Sequence, residues 1–181
     1  YGETLTEPEI VLPSNKACLR LPGIDGKAKM SKSLGNCIYL SDEADEVKKK
    51  VMSMFTDPNH LRVEDPGRVE GNPVFIYLDA FCKPEYFAEF LPEYQNLDEL
   101  KAHYTRGGLG DVKVKKFLNK VLQAELSPIR ERRKYWEQHL DDVYDILKEG
   151  SKVAEAKAAQ TLHDVRSAMQ INYFDDNSLI K

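Results

Sequence analysis

The sequence predicts a mainly helical protein, a bundle of about six or seven helices carrying a short non-helical appendage at its N-terminal end. Three observations lead there. From Ser41 onward, apolar residues recur at three- and four-residue steps, with capping residues in front of them. Before Ser41 the chain is punctuated by Glu7-Pro8, Leu12-Pro13, Ser14-Asn15 and Leu21-Pro22-Gly23, leaving too little regular pattern for a sheet. The run 17–21 is the one place where weak alternation predicts a short strand, and 37–40 is an apolar run that suits either a strand or a return into the core.

The first helix is expected after Ser41 or Asp42 as cap. Acidic residues fill its first turns, Lys48, Lys49 and Lys50 its later ones, and Ala44, Val47, Val51 and Met54 form its apolar stripe. Thr56-Asp57-Pro58 ends it. Residues 57–73 hold Asp57-Pro58, Asp65-Pro66-Gly67 and Gly71-Asn72-Pro73, a loop composition. Asn72 as cap with Pro73 in the first turn predicts the next helix, with Val74, Phe75, Leu78, Phe81 and Cys82 inside. Pro84 and Pro92 bracket a short helix burying Phe87, Phe90 and Leu91, and Asn96 with Glu99 three places on reads as a capping box before Leu97, Leu100 and Tyr104. These aromatic spacings are those of packing faces.

Thr105-Arg106-Gly107-Gly108-Leu109-Gly110 is a tight turn that neither follows a strand nor matches a dinucleotide fingerprint. Asp111 is expected to cap a helix with Val114, Phe117, Leu118, Val121 and Leu122 inside. Ser127-Pro128 predicts a break and a new helix burying Ile129, Trp136, Leu140, Val143 and Leu147, closed by Gly150. A last, alanine-rich helix is expected to bury Ala154, Ala158, Leu162, Val165 and Met169, with 175–181 as a frayed tail.

Composition narrows the class. A chain of 181 residues, 41 % hydrophobic and 31 % charged, suits a soluble globular protein with one core, or one core and a smaller lobe. No apolar run reaches the roughly 20 residues that span a bilayer, and Glu3, Glu7 and Glu9 are unlike a signal peptide, so a cytoplasmic location is expected. Cys18, Cys37 and Cys82 form no CxxC pair, which argues against a zinc site or a disulfide framework. His60, His103, His139 and His163 stand apart and read as surface or packing residues. A start at Tyr1 suggests a processed or shortened piece.

The stretch with chemistry in it is Leu21-Pro22-Gly23-Ile24-Asp25-Gly26 followed by Lys27-Ala28-Lys29-Met30-Ser31-Lys32-Ser33-Leu34-Gly35-Asn36. Glycines and proline exclude regular structure, while lysines and serines crowd together. Long-armed ammonium groups and hydroxyl donors suit the oxygens of a polyphosphate.

Lys29 to Ser33 reads KMSKS, which resembles the signature loop of class I aminoacyl-tRNA synthetases. With it, LPGIDGKAKMSKSLGN at 21–36, GNPVFIYLDAF at 71–81, GGLGDVKVKKFL from 107 and SPIRERR ending at 133 resemble successive blocks of the tryptophanyl-tRNA synthetase family, in its order but covering only its later half. The resemblance implies that residues 1–41 are the end of a nucleotide-binding, Rossmann-like α/β catalytic domain and residues 42–181 a helical anticodon-binding domain. It implies that Lys29 and Lys32 act on the ATP polyphosphate, with Met30, Ser31 and Ser33 shaping the loop. Magnesium would accompany ATP, with no metal site on the protein. Tryptophan and tRNA(Trp) would be the other substrates, and the whole enzyme a homodimer through its catalytic half, this piece a monomer. No histidine lies in the adenine-side motif with which KMSKS works, so the piece alone is expected to be inactive. Two other readings stay open: a stand-alone tRNA-binding or regulatory module, and another class I synthetase such as tyrosyl-tRNA synthetase.

Charge adds one candidate surface. The net charge is −4, yet nine basic residues fall between Arg106 and Lys134 against Asp111, Glu125 and Glu131. Two neighbouring helices sharing this basic face could follow an RNA backbone, with Lys113, Lys116, Arg130 and Arg132 as candidate contacts.

Overall fold

The computed structural model describes residues 1–173. It is mainly helical, and no strand occurs among the described residues. The helices are α1 (Ala44–Met52), α2 (Pro73–Phe81), α3 (Glu85–Phe90), α4 (Leu97–Arg106), α5 (Asp111–Glu137) and α6 (Leu140–Ala168), preceded by 3-10 turns at Lys16–Leu19 and Lys32–Leu34. Two compact units result, Leu12–Lys134 in one, Tyr1–Val11 with Tyr135–Lys181 in the other. No helix of the described residues is long and apolar enough to cross a membrane.

Local signals placed the middle of the chain correctly. Asn72 caps α2 by accepting from the Val74 amide at 3.0 Å, with Pro73 in the first turn. Asn96 caps α4 through the Glu99 amide, and the Glu99 carboxylate reaches back to the Gln95 amide, so both side chains satisfy backbone donors that a helix start leaves open. The core is built from one face of each of the helices α1 to α5: Val47 and Val51 from α1, Phe75 and Leu78 from α2, Phe87 from α3, Leu100 and Tyr104 from α4, Phe117, Leu118 and Val121 from α5. Lys115 also lies inside, its Nζ donating to the Met52 and Met54 carbonyls at 3.1 and 2.6 Å. It satisfies the carbonyls that the end of α1 would leave bare.

Four expectations are corrected. The strand foreseen at 17–21 is replaced by the turn at Lys16–Leu19. Asn15 caps it through the Ala17 amide, and its own amide group donates to the Asp79 carbonyl on α2, while no neighbouring strand offers a ladder. The start of α1 falls at Ala44, because Asp42 accepts from the Tyr39 amide and from Lys50 Nζ, with Glu43 at the cap position; Ala44 itself is exposed.

The third correction is the break at Ser127-Pro128, which does not occur. Pro128 sits exposed inside α5, and the buried Leu126 and Arg130 with half-buried Ile129 pin the helix on both sides of it. Proline removes one backbone bond there, and packing outweighs it. The chain turns instead at Gln138-His139, where the His139 ring stacks on Tyr135 with centroids 4.0 Å apart. Finally, α6 passes through Gly150 without interruption and contains no buried residue; Leu140, Leu147 and Leu162 are 57, 60 and 48 % exposed. Its apolar stripe has the expected spacing, but the residues in it stay exposed or half-buried. The tail expected at 175–181 lies outside the described residues.

Candidate functional site

The lysine-rich stretch folds as a hairpin, closed by an antiparallel bridge between Pro22 and Lys29. The Gly23 amide donates to the Ala28 carbonyl at 2.8 Å and the Met30 amide to Leu21 at 3.3 Å. Gly26, at φ 67°, makes the tip turn and lies against Phe55, whose ring would be 2.8 Å from any Cβ there. Only glycine meets both conditions without strain. Beyond the bridge, Lys32–Leu34 forms one 3-10 turn, ended by Gly35 at φ 65°.

The base of the hairpin is fastened to the helices. The Phe55 amide, just past α1, donates to the Ile24 carbonyl at 2.8 Å, and the Tyr77 hydroxyl of α2 donates to the Pro22 carbonyl at 2.9 Å. Burial, followed by the nearby Cys37 thiol, pushes the Tyr77 hydroxyl well above the usual tyrosine range, which keeps it a donor. Met30 packs against the core while Lys27, Lys29 and Lys32 stay exposed. Neither Lys29 nor Lys32 has an ion-pair partner among the described residues. The Ser31 and Ser33 hydroxyls face each other at 2.9 Å. A loop with its apolar residue turned in and its cations turned out can offer charge and hydroxyls to an anionic ligand.

One residue here escaped sequence reasoning. Asn36 is 4 % exposed, accepts from the Ser31 amide at 2.8 Å, and directs its Nδ2 at Asp25 Oδ1 and the Lys29 carbonyl, at 3.3 and 3.4 Å. The visible signal was its place three residues behind the KMSKS run; its partners become evident only once the hairpin is folded.

The four candidate RNA contacts do not share one face. All lie on the single helix α5, which rotates about 100° per residue. Lys113 and Lys116 fall within about 60° of each other, whereas Arg132 is about 160° from Lys116 and roughly 24 Å further along. Lys113 is already paired with Glu93 at 2.6 Å. Arg130 is 9 % exposed and donates from Nη2 to Gln123 Oε1 at 2.7 Å. Lys116 and Arg132 are exposed.

A family model described as tRNA synthetases class I (W and Y) matches residues 1–127. The tryptophan–tRNA ligase of Clostridium longisporum is 60 % identical over 177 residues, covering 97 % of this chain and 49 % of the relative. That of Lactococcus lactis is 59 % identical over 174 residues, covering 96 and 49 %. Among solved structures, the tryptophanyl-tRNA synthetase of Campylobacter jejuni complexed with ADP and tryptophan is similar at a TM-score of 0.66 and 26 % identity, over 83 % of this chain and 43 % of that one. The chain thus spans about half the length of the curated relatives it matches.

Proposed function

Because this chain belongs to the class I tRNA synthetases of the tryptophan and tyrosine group, we propose that it works as the later half of a tryptophan–tRNA ligase. In that reaction the tryptophan carboxylate attacks the α-phosphorus of ATP, pyrophosphate leaves, and the tryptophanyl group of the resulting adenylate then passes to a terminal hydroxyl of tRNA(Trp) as AMP leaves. Residues 1–41 contribute the loop of the activation site, as the end of a Rossmann-like domain, and residues 42–181 serve tRNA. Lys29 and Lys32 bind the polyphosphate, Met30 anchors the loop, and Ser31 and Ser33 add hydroxyl donors.

The observation that carries this reading is the hairpin, which holds exposed cations on an anchored base. Charge that moves onto the leaving pyrophosphate is stabilised there more than the ground state is, and such differential contacts raise turnover. The same hairpin carries cations and hydroxyls at its surface, while its one carboxylate, Asp25, is engaged with Asn36 and the Lys27 amide. That chemistry fits phosphate; magnesium would arrive on the nucleotide. The surroundings are cytoplasmic, the complete enzyme is a homodimer joined through its other half, and this piece alone is monomeric and inactive. On α5, the exposed Lys116 and Arg132 are the better candidates for tRNA phosphates, with Lys113 and Arg130 available only if their present partners give way.

Tryptophan-dependent ATP–pyrophosphate exchange by the complete polypeptide tests the reading. Lys29→Ala and Lys32→Ala together should lower kcat by about two to four decades, each charge-assisted contact being worth about 1.5–3 kcal/mol. Undiminished exchange in the double variant would overturn it.

A further inference from the structure

We infer that Asn36 is the positioning residue of the phosphate loop, acting through Lys29 and Lys32 without touching the nucleotide itself. This rests on the reading of the hairpin as the polyphosphate grip. Asn36 reaches both limbs. Its backbone carbonyl accepts from the Ile24 amide at 3.0 Å, its Oδ1 accepts from the Ser31 amide at 2.8 Å, and its Nδ2 faces Asp25 Oδ1 and the Lys29 carbonyl. The two ties at Lys29 and Ser31 sit at one cation and directly before the other. Side-chain burial at Asn36 keeps it from the ligand, so its influence runs through the backbone it holds.

The site is specific for an amide. A carboxamide accepts with one atom and donates with the other, which the Ser31 amide on one side and the Asp25 carboxylate on the other require; a carboxylate only accepts, and an aliphatic group does neither. Gly23 shows how closely the neighbouring limb is fitted, since a Cβ there would lie 2.1 Å from Asn36 Nδ2. Because the lysines act where charge develops, loosening them lowers turnover more than it weakens tryptophan binding, which needs none of these atoms.

Exchange kinetics of the complete polypeptide decide the matter, with thermal unfolding measured alongside. Asn36→Ala should lower kcat roughly ten- to a hundredfold, the loss expected when buried hydrogen bonds are removed, with KM for tryptophan unchanged. Asn36→Asp keeps the acceptor for Ser31 but sets an oxygen against Asp25 and should lose as much. Adding Asp25→Asn to it restores a donor between the two positions and should recover about tenfold of kcat. A merely structural role would change the unfolding temperature without this rescue. Lys29→Ala is run in parallel. If it abolishes exchange while Asn36→Ala and Asn36→Asp stay within twofold of the parent, the positioning role is overturned; if Lys29→Ala itself has no effect, the grip reading has failed instead. Should Asn36→Ala not fold, the isosteric Asn36→Asp and its rescue by Asp25→Asn decide between the same outcomes.

Discussion

Tyr104 donates its hydroxyl to Asp111 Oδ1 at 2.6 Å, tying α4 to the first turn of α5, and His60 Nδ1 lies 3.2 Å from the same oxygen. Burial first, then the hydrogen bond to Asp111, push the Tyr104 hydroxyl far above the usual tyrosine range. The folded protein therefore keeps a proton that an unfolded tyrosine releases near pH 10. Stability from this group is complete below about pH 10 and declines above it, by about 1.4 kcal/mol per pH unit. Urea denaturation between pH 10 and 11.5 should show the parent losing that much relative to Tyr104→Phe. Tyr77→Phe should behave alike, since burial raises that hydroxyl too. Lys115, whose pKa burial lowers, acts in the opposite sense up to its unfolded value, which is why the comparison is with each variant.

Two glycines should respond in opposite directions to alanine. Gly107 has φ 89°, and a Cβ there would stand 2.3 Å from the Glu64 carbonyl oxygen, so Gly107→Ala should cost about 2 kcal/mol or more. Gly150 lies inside α6 with open space around it, so Gly150→Ala should stabilise that helix by about 0.5–1 kcal/mol. Denaturation midpoints and helical circular dichroism check both.

Pro128→Ala should slow amide exchange across the middle of α5. Alanine restores the donor to the Ala124 carbonyl and removes the ring, a gain of about 1–3 kcal/mol in local helix stability. Unchanged exchange from 124 to 132 would mean that packing at Leu126 and Arg130 already holds this turn closed.

For tRNA, the salt dependence of binding by the complete protein separates surface charge from interior structure. Lys116→Ala and Arg132→Ala should each lower the slope of log K against log salt by about one. Arg130→Ala should instead lower stability by about 1–3 kcal/mol, because its guanidinium is buried against Gln123.

These contrasts also mark how far the sequence could be read. Asn72-Pro73 and Asn96 with Glu99 were legible because a cap and its helix are neighbours in the chain. Ser127-Pro128 misled for the same reason: the local signal is a helix start, and the opposing packing of Leu126 and Arg130 comes from elsewhere. On α6 the stripe is legible, whereas the exposure of Leu140, Leu147 and Leu162 is not. In the hairpin, KMSKS announced the lysines; Asn36, Asp25 and Phe55 gained their parts from contacts across 5 to 31 residues, which no short pattern encodes.

The hairpin has no free-standing base. It hangs from α1 at Phe55 and from α2 at Tyr77, so a tilt of either helix drags the roots of the loop along with it. Bending forces applied to the helical body consequently reach the loop at Pro22 and Ile24, through a pair of short hydrogen-bonded tethers.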